Sequence, residues 1–415
     1  MENTITENKP GYNKTKLGWI PEDWKLKKIS EIGRVVTGGT PSTTIDEYWN
    51  NTHFWYTPTD ISNFNKYAEK SKRMISNLGL KNSSATLFPK GTLMICTRAT
   101  IGEIAIASIE ACTNQGFKNL IVNNENEIEF IYYLLISSKN KLKRLSSGST
   151  FLELGTSDFK NILLSIPCLP EQKAIANCLS TWDTAITKLD ALIKAKQKLK
   201  KALMQQLLSG KKRLPGFEGD WENLNFSDIT ERVKRKNIEA DDTVVTISAQ
   251  RGFILQEDYF NKRVASDTLL NYTLVHNGEY CYNKSYSKDY PMGAFKRLDA
   301  FDKAVVTTLY ICFSLKDNVD SDFMNQYFEA GRMIPGLMRI AQEGGRAHGL
   351  LNISLPDFFS LPVTLPKLEE QTAIAQVLNT ADEEINLLTN QRNQLQLQKK
   401  GLMQQLLTGK KRLKS

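Results

Sequence analysis

Apolar residues recur in a four-three rhythm over two long stretches of the chain. In the first, Ile175, Leu179, Trp182, Ile186, Leu189 and Ile193 alternate steps of four and three. That spacing keeps one stripe facing a partner and predicts a coiled-coil helix with an a/d seam. Lys196 and Lys200 then occupy the seam, and Leu203 and Leu207 resume it. The second stretch runs Ile374, Leu378, Ala381, Ile385, Leu388, Arg392, Leu395, Lys399, Leu402 and Leu406. Each predicted helix follows a proline-containing segment and ends at Gly210 or Gly409, with Lys-Lys-Arg just beyond. Glycine suits the left-handed C-cap, and cations suit the negative end of the helix dipole. A helix from Glu171 to Leu208 spans roughly 57 Å at 1.5 Å per residue.

These stretches are copies of one another. Glu171–Leu214 and Glu370–Leu413 align without a gap, 199 residues apart, with 24 of 44 positions identical. A period that long implies one whole unit, a globular part followed by a long helix, written twice. A seam that is polar in its middle makes a poor lone helix, and the other copy is the simplest partner to bury Trp182, Ile186 and Leu189. If the globular parts lie at opposite ends, the helices must run antiparallel. The alternative is that each helix packs on its own globular part.

Outside the helices the similarity is weaker. Gly18–Ile32 resembles Gly216–Ile229. Short β-like runs follow near Phe54, Thr92 and Phe117, and again near Thr243, Gly278 and Thr307. Each part has one amphipathic helix candidate, Glu127–Leu145 and Asp322–Gln342, then a polar, glycine-containing loop at Ser146 or Glu343. An Asp-Phe turn (Asp158-Phe159, Asp357-Phe358) and an apolar strand lead into the long helix. The expected fold is α+β: two mixed α/β, strand-rich domains joined by two long antiparallel helices in a coiled coil with pseudo-two-fold symmetry.

At 415 residues there is room for two domains with cores of their own. No apolar run approaches the roughly 20 residues of a membrane helix, and the first residues lack the apolar core of a secretion signal. The six cysteines are scattered without C-x-x-C spacing, and His53, His276 and His348 stand alone. No metal site is expected, and a reducing cytoplasm fits best. Net charge is +9, and its place matters more than its size. Residues 171–214 hold 10 Lys/Arg against 3 Asp/Glu, whereas residues 215–369 hold 17 against 22. The helical repeats thus carry much of the excess. A solvated lysine face and a strip facing a polyanion both account for that.

The loops of the globular parts are rich in side chains that read base edges. Arg and Lys suit guanine, Asn and Gln suit adenine, and Ser and Thr are permissive. The candidates in the first part are Thr59, Asp60, Arg98, Thr100, Asn114, Gln115, Lys118 and Ser149. Those in the second are Gln250, Arg251, Asn283, Lys284, Lys288, Tyr310, Arg346 and His348. Motifs of chemistry are missing. There is no G-x-x-x-x-G-K-[ST] phosphate loop, no glycine-rich cofactor turn, no Asn/Asp-Pro-Pro-aromatic motif and no carboxylate-lysine cluster of a nuclease.

Two variable globular parts, each followed by a helix opening P-x-x-EQ-x-x-IA, resemble the specificity subunit of type I restriction–modification systems. The resemblance rests on CLPEQKAIANCL (Cys168–Leu179), KLEEQTAIAQVL (Lys367–Leu378) and the two LMQQLL-[ST]-GKKRL endings. GWIPEDW, GGTPS (Gly38–Ser42), TNQGFKNL (Thr113–Leu120) and LPGFEGDW (Leu214–Trp221) add to it. The second copy departs in having Glu369 where the first has Pro170.

The resemblance implies target-recognition domains at 1–168 and 214–366, and spacer helices at 169–213 and 367–415. Each domain would read half of a bipartite site in double-stranded DNA. Ile175, Leu179, Trp182, Ile186, Leu189, Leu203, Leu207, Ile374, Leu378, Ile385, Leu388, Leu402 and Leu406 would form the helix-pair and partner interface. Two methyltransferase and two restriction subunits would be partners, with no membrane involved. S-adenosylmethionine, ATP and Mg would bind those partners, and this chain would bind no cofactor and catalyse nothing. A self-contained DNA-modifying enzyme and a coiled-coil scaffold without DNA are the competing readings.

Overall fold

The computed structural model describes residues 9–50, 52–62, 64, 66–147, 152–260, 269–286, 289–341 and 349–413. The chain divides into two compact units that do not follow chain order. One holds the residues up to Lys188 together with those from Gln391, and the other is Leu189–Asn390. The long helices are Leu169–Leu207 and Leu368–Leu406, 39 residues each. Each unit therefore contains the start of one helix and the end of the other.

In the first unit a five-stranded sheet runs in the order Gly33–Thr37, Phe117–Val122, Leu93–Cys96, Ile104–Ala107, Tyr67–Ala68. Side chains alternate across a strand, and the cores follow that period. Leu93, Ile95, Ile104 and Ile106 join one cluster with helix Ile128–Ser137 residues and with Ile175, Leu179, Leu406 and Leu407. Met94, Cys96, Ala105 and Ala107 join another with Tyr56, Phe88 and Phe117. A three-stranded sheet places His53–Tyr56 between Ala111–Thr113 and Arg73–Ile75.

The second unit has a four-stranded antiparallel sheet ordered Thr230–Arg232, Ile311–Leu315, Tyr280–Asn283, Ala294–Arg297. Tyr280, Tyr282, Ile311 and Phe313 face a core shared with Leu207, Leu208, Ile374 and Leu378. Cys281 and Cys312 face a smaller one.

The amphipathic stretches are broken where continuous helices were expected. The first becomes Ile128–Ser137 and Lys139–Arg144, interrupted at Ser138. The Ser138 hydroxyl bonds back to Leu134 O at 2.8 Å, competing with the backbone ladder. The second becomes Ser321–Glu329 and Ile334–Ile340. Gly331 takes φ +71, and Pro335 sits in the first turn of the next helix instead of extending the last.

The shared helical motif has a structural reason within each unit. Gln172 is 1% exposed; its carbonyl accepts from Glu127 N at 2.8 Å and its amide donates to Pro167 O at 3.0 Å. Gln371 repeats this with Asp320 N and Pro366 O, both at 2.9 Å. The glutamine thus staples each long helix to the start of its domain's shorter helix. Glu171 receives Arg412 at 2.5 and 2.8 Å, and Glu370 receives Arg213 at 2.6 Å from both Nε and Nη2. Each helix start is therefore bound to the end of the other copy, running antiparallel. Gly210 and Gly409 close the helices at φ +68 and +67.

The seam obeys its period. Ile175, Leu179, Leu207, Ile374, Leu378 and Leu406 are buried, and Trp182, Ile186, Leu189, Leu203, Ile385, Leu388 and Leu402 are half-buried. Both expectations for the helices hold in part: their ends pack on a globular part and on the other copy together. Seam lysines are paired with carboxylates. Lys200 meets both Asp382 oxygens at 2.6 Å, and Lys196 meets Glu384 at 2.7 Å. In the first unit Lys399 donates to Asp183, the position equivalent to Asp382 in the repeat. Asp183 also accepts from Tyr133, while buried Lys66 donates to Glu129 at 2.7 Å and to Tyr133 at 2.9 Å. Burial first, then Asp183, pushes the Tyr133 hydroxyl far above its usual range and keeps it a donor.

Candidate nucleic-acid interface

In the first unit, loops at the strand ends converge. Gly39 N donates to Thr113 O at 2.9 Å, Asn114 N to Tyr56 O at 3.0 Å and Thr97 N to Gly116 O at 2.8 Å. The approach is close enough to require glycine: a Cβ on Gly38 would lie 2.0 Å from Asn114 O. Thr59, Asp60, Arg98, Thr100, Asn114, Gln115 and Lys118 all lie on or beside these loops.

Their side chains divide by what they already hold. Asp60 is 4% exposed and accepts from Thr57 N and Oγ1 at 2.8 and 2.7 Å, which caps the turn Pro58–Ile61 carrying Thr59. Asn114 accepts from Gly116 N at 2.9 Å, and Gln115 from Thr40 Oγ1 at 2.5 Å. Thr59, Gln115, Arg98 and Thr100 are exposed. Arg98 and Thr100 flank Ala99, which takes φ +56, a left-handed conformation unusual for a residue with a Cβ. Arg98 pairs with Glu153 at 2.6 Å, and Lys118, 5% exposed, lies 3.7 Å from the other oxygen of that carboxylate. Burial lowers the Lys118 pKa; Glu153 opposes the shift and Arg98 adds to it.

In the second unit Gln250 and Arg251 sit exposed at the tip of the hairpin Val245–Ser248 and Gly252–Leu255. Asn283 donates to Ile247 O at 3.2 Å, and Ile247 N donates to the Tyr310 hydroxyl at 3.3 Å. Gln250 reaches Asp289 at 3.5 Å. The hairpin, the end of strand Tyr280–Asn283 and the Tyr310 loop thus form one surface, with Lys284 half-buried next to Asn283. Ser149, Lys288, Arg346 and His348 lie outside the described residues.

One feature escaped the base-reading criteria. Arg232, Lys234, Arg235 and Lys236 are exposed in a five-residue run. With Lys284, Tyr272 and Tyr310 they line a cleft of about 350 Å³. Four cations in five residues were the available signal, hidden inside a segment that is acidic overall. Elsewhere, no described group of three or more His, Cys, Asp or Glu residues is placed to hold a metal ion. No described helix is long and apolar enough to cross a membrane.

Known proteins share this plan. A type I restriction enzyme specificity subunit of Methanocaldococcus jannaschii, MjaIX, is 42% identical over 178 residues, 42% of this chain and 41% of that protein's length. The MjaVIII specificity subunit of the same organism is 24% identical over 433 residues, covering 95% of each chain. A solved S subunit from M. genitalium superposes with TM-score 0.55 at 15% identity over 92% of this chain and 96% of that one. A chain from a structure addressing complex assembly and conformational transition of the type I R-M system gives TM-score 0.58 at 15% identity over 94% and 99%. Residues 21–201 and 220–397 each match the type I restriction modification DNA specificity domain. With both halves matched, the chain belongs to the family of type I restriction–modification specificity subunits.

Proposed function

We propose that each globular domain reads one half of a bipartite sequence in double-stranded DNA, and that the helix pair sets the unread spacer. The observation that carries this is one frame built twice with different loop chemistry. Arg98, Thr59, Thr100 and Gln115 are exposed on the first loop cluster, and Gln250 and Arg251 on the second. Base edges in the major groove are told apart by side chains of this kind. The chain itself does no chemistry in this reading. It docks two methyltransferase subunits, joined by two restriction subunits for cleavage, and those partners bind S-adenosylmethionine, ATP and Mg. Exposed Leu192, Leu199, Leu387 and Leu397 on the helices offer apolar surface for docking.

The test is a domain exchange read by methylome sequencing. Replacing residues 215–366 by the equivalent part of another family member should change one half of the methylated motif and leave the other. A folded hybrid that changes both halves would refute one-domain-one-half reading. Labelled S-adenosylmethionine incubated with the pure chain and DNA should give no turnover above background.

A further inference from the structure

We propose that the cleft lined by Arg232, Lys234, Lys236 and Lys284 grips the phosphodiester backbone of the DNA next to the second domain's reading surface. The proposal rests on the DNA-reading function above and adds which cations position the duplex. Strand Thr230–Arg232 pairs with Ile311–Leu315, and the chain then stays extended. Val233 N donates to Cys312 O at 2.9 Å, and Leu274 N donates to Arg235 O at 2.8 Å. Side chains alternate along such a segment. Val233 packs on the smaller core. Arg235 turns to Glu279, with bonds of 2.9 and 3.1 Å, and to Leu274 O at 3.0 Å. The residues between, Arg232, Lys234 and Lys236, are left for the other face.

Among the described residues no carboxylate lies within ion-pair reach of Arg232, Lys234, Lys236 or Lys284, whereas Arg235, Lys296, Arg297 and Lys303 of the same domain each have one. A cluster with no ion-pair partner among the described residues, in an otherwise acidic domain, points to an external anion. The fold does not demand the run: the first domain has Val35-Val36-Thr37-Gly38-Gly39 at the corresponding strand. Continuity with the reading surface points to the DNA backbone. Tyr310 lines the cleft and also bonds Ile247 beneath the hairpin tip, and Lys284 follows Asn283. Phosphate contacts fix position and register, and base contacts beside them specify.

The experiment compares the full chain, assembled with its methyltransferase subunits, with a Lys234→Gln/Lys236→Gln variant. A duplex bearing the motif methylated in the host is titrated between 50 and 200 mM salt. Each lost phosphate contact lowers the slope of log affinity against log salt by about 0.9, so the deficit of the variant shrinks about 3.5-fold per contact over that range. The methylated motif stays the same, and Lys316→Gln, which removes a lysine bonded to Ser227 O, leaves the slope unchanged. An unaltered slope and affinity overturns the assignment. A changed motif makes these residues base readers and overturns it too. Loss of binding to an unrelated RNA with the duplex unaffected assigns the cleft to another polyanion. Absence of sequence-dependent binding by the wild-type complex defeats the DNA-reading function itself, a result distinct from all of these.

Discussion

Glu153 holds Arg98, the exposed cation proposed as a base reader, in an ion pair of 2.6 Å. The pair is half-exposed, with Arg98 45% and Glu153 31% accessible, so it is worth about 0–1 kcal/mol and can exchange. Glu153→Gln should therefore tighten DNA binding, most at low salt, whereas Arg98→Ala should weaken it by about 1–3 kcal/mol and relax one base of the motif. Weaker binding by Glu153→Gln in a titration would mean that the carboxylate positions Arg98 instead of competing for it. Cysteine chemistry makes a second check. Burial pushes the Cys96 and Cys112 thiols up to about 12, so the reactive thiolate is suppressed at pH 8, while Cys168 is exposed. Iodoacetamide with peptide mapping should label Cys168 in the native protein and Cys96 and Cys112 only after unfolding; native labelling of Cys96 would contradict the burial described. At this scale the sequence was half legible. It located the loops by their residue types. It did not separate exposed Arg98 from Asp60, Asn114 and Asn283, whose side chains hold their own turns, because such bonds follow from backbone geometry.

The long helices were legible as elements because a four-three period survives any choice of partner. The partners of their polar middle were not, since Lys200 and Asp382 are 182 residues apart in sequence. The lysine and the aspartate recur in each copy, so each unit pairs one copy's cation with the other's anion. Polar seam residues of this kind fix register at some expense of stability. Lys200 is the more buried, 16% exposed against 32% for Lys196, and Asp382 also accepts from Gln326 at 2.8 Å. Asp382→Ala leaves a partly desolvated ammonium, while the Gln326 amide keeps its bond to Asn379 Oδ1 at 2.9 Å, a loss of about 1–3 kcal/mol. Glu384→Ala removes only an exposed partner and should stay within about 1 kcal/mol. Urea unfolding midpoints of the two variants give the comparison, and equal shifts would show that the seam pair has no special weight. The broken amphipathic helices lay beyond periodicity alone. A serine back-bond at Ser138 and a glycine at positive φ interrupt segments whose apolar spacing runs on regardless.

For the whole molecule, the repeat was the strongest signal, and identity concentrates where the structure uses the residues twice: the Glu-Gln start, the Ile-Ala pair and the glycine-arginine end. What the repeat could not reveal is that each compact unit draws on both helices, the start of one and the end of the other. This sharpens the prediction about the spacer. The Glu171–Arg412 and Asp183–Lys399 contacts tie the helices in one unit, and Glu370–Arg213 and Asp382–Lys200 tie them in the other. A heptad added to both helices, after Lys194 and after Asn393, keeps every one of those contacts and the seam phase. Both helices lengthen by about 10 Å, equivalent to roughly three base pairs at 3.4 Å each. If the helices set the spacer, the methylated motif should lengthen by about that amount, with weaker activity because the added twist turns one half-site away. A heptad added after Lys194 alone is trapped between two fixed sets of contacts with no matching residues opposite. It should lower the unfolding midpoint and abolish methylation. The paired insertion is the decisive variant: if it methylates its DNA at an unchanged spacer, something other than helix length sets the distance between the half-sites.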